Sequence, residues 1–504
     1  MIDGIMLGLQ TVLTLHNLAL VLAGCAAGTL IGMLPGLGPI SAIALMIPVT
    51  YGFDPASGMI LLAGVYYGAI FGGSTSSILI NAPGVAGTVA TAFDGYPLSQ
   101  QGKAGKALAV AAYASFAGGT IAAIFLVLAA PSLAKLSLSF QSADYFVLML
   151  LGLALVAAFS ERGGYLKAIS MTLFGLMLST VGTDLSAGVQ RFTFGRMDLI
   201  DGISFLLLAM ATFALAEAFM MVLRPTENTK TQFPGYRDLA LTSEDAKRIA
   251  PSIGRSSVLG FIVGTLPGAG ATIASFLAYG MERNLVSSKE RAEFGKGSIA
   301  GLAAPEAANN AACTGSFVPL MTLGIPGSGT TAVLLGALIA YGVQPGPRLF
   351  IDAPEVFWSV IVSMFFGNLF LLVLTLPLIP QIARLLLLPR PLLVPLIMFF
   401  SVMGVYLVSF NSFDIHLMLF IALIAVLLRL LEFPMAPLLL GFILGGMLED
   451  NLRRALTLSD GSWMFLFERP LTTGLVLLTV AVVISPFIRF WLTTKAVATS
   501  DLNR

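Results

Sequence analysis

AGVYYGAIFGGSTSSILINAPG, residues 63–84, is apolar enough for a membrane interior, yet it contains four consecutive hydroxyl side chains, Asn81 and a helix-breaking Pro83-Gly84 pair. Hydrocarbon cannot satisfy the backbone groups that such a break exposes. A broken segment at membrane depth therefore packs within protein or lines a wet cavity. The stretch predicts a broken transmembrane helix in a polar environment.

The same design recurs at residues 306–327, EAANNAACTGSFVPLMTLGIPG, which align with the first stretch without a gap. In this alignment Pro326-Gly327 matches the first Pro-Gly pair, and Asn309-Asn310 matches Tyr66-Tyr67. Interrupted apolar segments at corresponding positions of two halves are typical of the binding site of a secondary transporter. The pair therefore favours a transport function.

Each broken stretch is preceded by a second short motif. Residues 24–50 form two apolar arms that meet at Leu-Pro-Gly-Leu-Gly-Pro, and residues 257–280 form two arms that meet at Leu-Pro-Gly-Ala-Gly. An arm of about 11 residues reaches only about half of the 30 Å hydrocarbon core. The spacing therefore predicts re-entrant hairpins whose tips lie inside the membrane.

Composition excludes several classes of protein. Of the 504 residues 57% are hydrophobic and 11% are charged, whereas soluble chains are about 25% charged. The net charge of +1 argues against a nucleic-acid-binding surface. The two cysteines lie in apolar runs and predict no disulfide framework. No Walker A pattern occurs, so we expect no ATP hydrolysis by this chain.

These observations predict an all-α polytopic membrane protein with two inverted-topology repeats, each with a re-entrant hairpin and a broken transmembrane helix. We expect the first repeat at 1–223, a polar cytoplasmic linker at 224–255 and the second repeat at 256–504. The first apolar run lacks the basic region of a cleavable signal peptide, so we expect it to be retained. Further apolar spans lie near 107–130, 145–159, 165–182, 203–223, 355–379, 393–410, 415–431, 433–448 and 471–492.

Basic residues in the short loops predict the orientation, because Lys and Arg accumulate in cytoplasmic loops. Loop 50–57 has no basic residue, whereas its counterpart at 281–297 has four. The polar loop expected at 94–108 has two lysines, whereas its counterpart at 342–355 has one arginine beside two acidic residues. Equivalent loops with opposite bias indicate an inverted repeat and an external N-terminus.

The tips and breaks place helix ends near the membrane midplane, where helix N-termini bind carboxylates without Lys or Arg. Nearby hydroxyls and amides can add hydrogen bonds, and helix C-terminal carbonyls can hold Na⁺. The predicted substrate-binding residues are Pro35, Gly36, Gly38, Ser74, Thr75, Ser76, Ser77, Asn81, Pro83, Gly84, Pro267, Gly268, Gly270, Asn309, Asn310, Thr314, Pro326, Gly327, Ser328, Gly329, Thr330 and Thr331. The alternative is that these residues only allow close helix packing.

Glu306 is the candidate ion-coupling residue, because ionisable residues at membrane depth are costly and usually functional. It can bind Na⁺ or a proton, or it can reach back to the interface beside the basic loop at 281–297; both options stay open. The two histidines, His16 and His416, lie far apart without ligand spacing. We therefore expect no metal site except Na⁺ on backbone carbonyls, and no other cofactor.

Several short motifs carry a resemblance to a known family. They are GMLPGLGP at 32–39, YG at 51–52, YYG at 66–68, FGGS at 71–74, NAPG at 81–84, FDGYP at 93–97, RFTFG at 191–195, LPGAG at 266–270, PEAANN at 305–310 and GIPG at 324–327. Together they resemble the large membrane subunit of the tripartite tricarboxylate transporters, over essentially the whole chain.

The resemblance implies a multi-pass permease of the bacterial inner membrane that imports citrate or related di- and tricarboxylates with a Na⁺ or H⁺ gradient. It also implies two partners: a small membrane subunit and a periplasmic binding protein that delivers the substrate. It does not identify the carboxylate, the coupling ion or the oligomeric state, for which a homodimer is one option.

Two other classes of function are left as alternatives. An intramembrane hydrolase would use one hydroxyl of residues 74–77 as its nucleophile, or Glu306 paired with an aspartate. A nucleophile needs a base within hydrogen-bond reach, and neither histidine is placed to serve. A channel or scaffold subunit without ion coupling is the other alternative, and the paired breaks favour a transporter over both.

Overall fold

A computed structural model describes residues 1–34, 37–81, 83–137, 139–158, 164–184, 187–223, 239, 241–268, 270–384 and 390–484. These residues are almost entirely helical. The first helices are α1 Ile2–Val12, α2 Leu15–Gly32, α3 Gly38–Met46, α4 Pro55–Ile80, α5 Val89–Leu98, α6 Ala104–Ser137, α7 Ser142–Ala158, α8 Gly164–Leu178, α9 Phe205–Ala209 and α10 Ala216–Leu223. Between α8 and α9 lies an antiparallel hairpin of β1 Gly182–Asp184 and β2 Val189–Arg191.

The later helices follow the second Leu-Pro-Gly motif and its flanks. They are α11 Ser243–Gly264, α12 Gly270–Leu285, α13 Ser288–Arg291, α14 Ile299–Gly315, α15 Phe317–Leu323, α16 Gly329–Ala340, α17 Leu349–Asp352, α18 Pro354–Arg384, α19 Arg390–Ser409, α20 Ser412–Leu430, α21 Met435–Leu458, α22 Phe465–Glu468 and α23 Pro470–Ile484.

Eight helices within the described residues are long and apolar enough to cross a membrane. They are Leu15–Gly32, Pro55–Ile80, Ala86–Ala129, Phe205–Leu223, Pro354–Val373, Pro391–Ser409, Ser412–Leu430 and Met435–Leu458. The predicted all-α, multi-pass membrane fold is therefore confirmed. Inverted topology and re-entrant hairpins stay predictions.

The described residues form two compact units. One contains Met1–Leu138 and Ser204–Leu427, and the other contains the described residues of 139–203 and 428–504. The first unit therefore draws on both predicted repeats. The repeat boundaries, which concern sequence correspondence, stay a prediction.

Three local expectations differ from the structure. The arm before the first tip belongs to α2, which has 18 residues because the helix begins at Leu15, capped by Thr14. Segment 94–108 is helical rather than a polar loop, with a wide π turn at Ser99–Lys103 between α5 and α6. Helix α11 begins at Ser243, inside the segment predicted as a linker; residues 224–238 of that segment lie outside the described residues.

Helices α2 and α4 pack backbone to backbone because glycines line their contact. A Cβ added at Gly28 would lie 2.2 Å from the carbonyl oxygen of Val65. A Cβ at Gly32 would lie 2.2 Å from the carbonyl oxygen of Ala69. Real Cβ atoms do not approach so closely, so only glycine permits this packing, as in membrane helix pairs with small residues at their interface.

The second half repeats this contact in the same register. Helix α11 packs on α14, where a Cβ added at Gly260 would lie 2.4 Å from the carbonyl oxygen of Ala308. A Cβ at Gly264 would lie 2.3 Å from that of Ala312. Gly260 and Gly264 lie as many residues before the second Leu-Pro-Gly motif as Gly28 and Gly32 lie before the first. Their partners, Ala308 and Ala312, align with Val65 and Ala69, the partners of Gly28 and Gly32. The pairs α2–α4 and α11–α14 therefore use equivalent contacts.

Two aspartates hold backbone groups at or before helix starts near the broken segments. Asp54 accepts the N–H of Ser57 at 3.0 Å at the start of α4. Burial raises the pKa of Asp54, but hydrogen bonds from the Ser57 side chain and backbone lower it below its usual value. The cap therefore stays charged at neutral pH.

Asp94, on α5, binds the backbone of the loop that leads into α14. Its Oδ1 accepts three N–H groups, from Gly295 at 2.9 Å and from Gly297 and Ser298 at 2.8 Å. The side chain is fully buried. Asp94 therefore ties the segment after the first break to the start of the helix that carries Glu306.

We expect Asp94→Ala to lower the free energy of unfolding by about 3 kcal/mol, because it leaves three backbone donors without their acceptor. Asp54→Ala removes a single helix cap and should cost about 1 kcal/mol. Denaturant unfolding of the purified chain in detergent measures both. Equal losses at the two positions would contradict the assigned role of Asp94.

Ion pairs stabilise the second unit. The buried Asp144 of α7 binds Arg469 and Thr472 near α23. The β-hairpin is held by Arg191, whose guanidinium lies 2.9 Å from the carboxylate of Glu449 on α21. These charged groups are therefore engaged in holding loops and helix ends together.

Candidate functional site

The first break follows α4 directly. Asn81 ends the helix in the left-handed conformation, with φ 52° and ψ 32°, which asparagine tolerates better than most residues. Gly84 then packs on the end of α2, where an added Cβ would lie 2.3 Å from the carbonyl oxygen of Gly32. A Cβ on Gly38, the first residue of α3, would lie 3.4 Å from the carbonyl oxygen of Gly84. The first break therefore lies against the end of α2 and the start of α3.

The second break has the same local geometry. Gly324, which aligns with Asn81, ends α15 in the left-handed conformation with φ 71° and ψ 22°. The N–H of Gly268, in the second tip, donates to the carbonyl oxygen of Gly327 at 3.0 Å. In each half, residues that flank the Leu-Pro-Gly motif therefore contact the break of the same half.

The most concentrated polar cluster between these elements surrounds Glu306, which is fully buried on α14. Its Oε1 accepts hydrogen bonds from Ser74 at 2.6 Å and from Ser115 at 2.7 Å. Its Oε2 accepts one from Thr91 at 2.9 Å. The amide of Asn310 donates to Oε1 at 3.3 Å and to Ser115 Oγ at 2.9 Å.

This carboxylate joins four helices, since its donors lie on α4, α5, α6 and α14. Because the side chain of Glu306 is fully buried, it does not reach back to the interface, and that alternative from the sequence is wrong. Within the described residues no basic side chain forms an ion pair with it. A buried carboxylate that is held only by neutral donors can accept a proton or a cation without disrupting an ion pair.

Helices α4 and α14 also meet a second time. The hydroxyl of Tyr67 lies 3.1 Å from that of Thr314. Tyr67 precedes Ser74 on α4, whereas its partner Thr314 follows Glu306 on α14. The two matching helices therefore run in opposite directions where they meet.

Several predicted substrate ligands form hydrogen bonds to backbone groups. Ser76 and Ser77 both donate to the carbonyl oxygen of Gly73 within α4, at 3.1 and 2.9 Å, as hydroxyls inside helices commonly do. Ser328 and Thr331 form a reciprocal capping box at the start of α16. Substrate contact by these four residues stays a prediction.

The other predicted residues fall into three groups. The buried group contains Thr75, Asn309, Pro326 and Thr330. The half-buried group, at the tips and breaks, contains Pro83, Pro267, Gly270 and Gly329. The third group, Pro35 and Gly36, lies outside the described residues. Asn81 is exposed and acts as the helix end described above. Substrate contact by any of these residues stays a prediction.

Sequence reasoning missed two residues of the Glu306 cluster, Thr91 and Ser115. Thr91 stands two residues before the FDGYP motif, and Ser115 is a single hydroxyl in an apolar helix. An isolated hydroxyl at membrane depth was the only available signal, and it does not distinguish a ligand of a carboxylate from a residue that bonds to its own helix.

The spans, the paired breaks and the buried carboxylate define a multi-pass membrane protein with a polar centre built from interrupted helices. The chain belongs to the tripartite tricarboxylate transporter TctA family, whose family model matches residues 18–440. It is therefore a membrane subunit of a transporter that works with other subunits, and the family resemblance noted in the sequence is confirmed.

Two curated relatives come from Agrobacterium vitis. The chain is 43% identical over 484 residues to an uncharacterised 52.8 kDa protein in the TAR-I ttuC' 3' region, covering 96% of both chains. It is 42% identical over 233 residues to an uncharacterised protein in the TAR-II ttuC' 3' region, covering 46% of this chain and 96% of that one. No solved structure matches the chain.

Proposed function

We propose that this chain is the large permease subunit of a binding-protein-dependent secondary transporter. It imports citrate or a related di- or tricarboxylate across the bacterial inner membrane, driven by a gradient of Na⁺ or H⁺. The observation that carries the proposal is the buried carboxylate of Glu306, which is held by neutral donors at the contact between the first broken helix and its counterpart.

The carboxylate of Glu306 suits ion coupling because its binding of a proton or Na⁺ would affect hydrogen bonds in both halves of the chain. Ser74 and Thr91 flank the first break on α4 and α5, whereas Glu306 itself precedes the second break on α14. Adding a proton or Na⁺ changes the hydrogen bonds that join them. Na⁺ binds oxygen ligands such as a carboxylate together with hydroxyls. Burial also favours the protonated form of a carboxylate.

The packing supports the proposed inverted repeats. Equivalent glycines make equivalent helix contacts in the two halves, and α4 and α14 run in opposite directions where they meet. Inverted repeats place a substrate site near the membrane midplane, between broken helices. The two breaks are the corresponding elements of this chain.

The partners of the proposal are a small membrane subunit and a periplasmic binding protein that brings the carboxylate to the external face. Family membership supports a transporter with further subunits. The orientation argued from loop charges, with the N-terminus outside, is part of the same proposal.

Hydrolysis is less well supported than transport. Among the hydroxyls of residues 74–77, Ser74 lies beside Glu306 in an arrangement that resembles a nucleophile with a base. That carboxylate also accepts bonds from Thr91 and Ser115, so it binds several hydroxyls rather than activating one. Membership of a transporter family supports the same choice.

We expect radiolabelled citrate to accumulate in proteoliposomes that hold this chain with its small membrane subunit, when the binding protein is outside and an inward cation gradient is imposed. Gradients of Na⁺ at equal pH and of H⁺ without Na⁺ identify the coupling ion. Collapse of the gradient by an ionophore should stop accumulation.

Equilibration without accumulation would favour a channel over the proposal. A failure of succinate, citrate and tricarballylate to enter under either gradient would contradict carboxylate import altogether. Vesicles without the binding protein serve as the matched control for its requirement.

A further inference from the structure

The two breaks correspond position by position, but their following helices are capped differently. The residue after the second Pro-Gly pair is Ser328, whose hydroxyl accepts the N–H of Thr331 at 3.3 Å, while Thr331 accepts the N–H of Ser328 at 2.8 Å. The residue after the first pair is Val85, which has no oxygen in its side chain and cannot cap. Only the second helix start is therefore closed by its own side chains.

At the first break the helix start retains free donors. A 3₁₀ turn at Ala86–Thr88 runs directly into α5, and no side chain caps either. The N–H of Thr88 reaches the carbonyl oxygen of Val85 at 3.0 Å. Within the described part of the chain, the N–H groups of Ala86 and Gly87 donate to no carbonyl or side chain.

Asn309 of the opposite half lies against this turn. Its side chain is fully buried, and neither its amide nitrogen nor its amide oxygen has a hydrogen-bond partner within the described residues. A Cβ added at Gly87 would lie 2.3 Å from Asn309 Oδ1 and 3.4 Å from its Nδ2. An amide that is buried without partners is costly, so a hydrogen-bonding group bound beside this turn would lower that cost.

The aligned residue in the other half shows the contrast. Tyr66, which matches Asn309, lies beside Ser316 and Ser328 at the second break. Its ring packs at an angle of 32° against the ring of Phe317, with ring centroids 5.9 Å apart. The second break is therefore filled by an aromatic ring and a closed cap, whereas the first presents open N–H donors and an unpaired amide.

We propose that the first break alone holds a carboxylate group of the transported substrate, bound by the Asn309 amide and the free N–H groups of Ala86 and Gly87. This rests on the proposed carboxylate import. The turn offers N–H donors and the positive end of the helix dipole, which together bind anions without a basic residue. The amide nitrogen of Asn309 adds a donor from the other half, so the bound carboxylate bridges both halves.

Binding of radiolabelled citrate to the full chain with its small membrane subunit in lipid nanodiscs tests this placement. Asn309→Leu keeps the side-chain size and removes both polar atoms. We expect the Kd for citrate to rise roughly 10- to 100-fold, the loss of a hydrogen bond to a charged group. The thermal unfolding temperature without citrate should stay the same or rise, because an unpaired buried amide has been removed.

Val85→Ser is the second variant, and it tests the helix start itself. The introduced hydroxyl stands at the N-cap position of the turn, where a serine oxygen can accept the N–H of Gly87. It then competes with the ligand for one of the two free N–H groups, so we expect the Kd for citrate to rise roughly tenfold. If Asn309→Leu does not fold, this substitution at a half-buried position still decides the matter.

Asn368→Leu is the matched control, because Asn368 is also a buried asparagine whose amide nitrogen is unpaired, but it lies on α18. Its Kd for citrate should equal that of the unchanged protein, and trimethyl citrate should not displace the label. An unchanged Kd in Asn309→Leu or Val85→Ser, or an equal loss in Asn368→Leu, would overturn this placement alone. No binding of any carboxylate by the unchanged protein would overturn the proposed function with it.

Discussion

Glu306→Gln is expected to lower gradient-driven accumulation of citrate at least tenfold while leaving the protein folded. Glutamine retains a carbonyl oxygen that can accept bonds from Ser74 and Ser115, so the junction of helices keeps most of its hydrogen bonds. It cannot take up a proton or balance the charge of Na⁺. Uptake by proteoliposomes, with and without the gradient, measures the loss.

Glu306→Ala separates the structural role of this carboxylate from its role in coupling. It leaves Ser74, Thr91 and Ser115 without their common acceptor in a buried site, so we expect the free energy of unfolding to fall by about 3–5 kcal/mol. Glu306→Gln should cost far less. If the glutamine variant accumulates citrate as well as the unchanged protein does, Glu306 is only structural, and the coupling assignment is wrong.

Gly32→Ala and Gly264→Ala are each expected to lower the free energy of unfolding by about 3 kcal/mol. At Gly32 the new Cβ would lie 2.2 Å from the backbone oxygen of Ala69, and at Gly264 it would lie 2.3 Å from that of Ala312. The obstacle is backbone, which cannot rotate away as a side chain can. The helices must separate, and the hairpin tips move with them.

Gly254→Ala is the control for this pair, because Gly254 lies in α11 and an added Cβ there meets nothing within 4 Å. Alanine favours helix over glycine, so stability should rise by about 0.5–1 kcal/mol. Unfolding of all three variants in the same detergent decides between close packing and a general effect of helical glycines. A loss in only one half would contradict equivalent roles for the two hairpins.

The sequence predicted where the helices break and which elements correspond. The Pro-Gly pairs that interrupt apolar runs led to breaks that the structure places after Asn81 and Gly324. It predicted helix ends less well: the first arm is longer than expected, since apolar residues before Gly24 continue the helix back to Leu15. Local apolar composition reports that a segment can be helical, but not where its packing partners let it begin.

The candidate site was predicted only in part. Glu306 was singled out by its charge, and Asn309 and Asn310 by their place in the repeated stretch. Asn309 and Asn310 are neighbours in sequence with the same side chain. Asn310 bonds within the Glu306 cluster, whereas Asn309 has no hydrogen-bond partner within the described residues and lies against Gly87. Successive residues of a helix point about 100° apart, so only their surroundings distinguish them.

By itself, the sequence determined the class of this protein: a helical membrane chain with two matching interrupted segments, in a recognisable transporter family. Apolar composition, Pro-Gly breaks and repetition are properties of the amino-acid order itself, so the sequence alone is enough to identify them. The tertiary structure alone decided that Thr91 and Ser115 join Glu306, and that Asn309 faces the break of the other half. Those contacts join residues far apart in sequence, and they arise only when the helices pack.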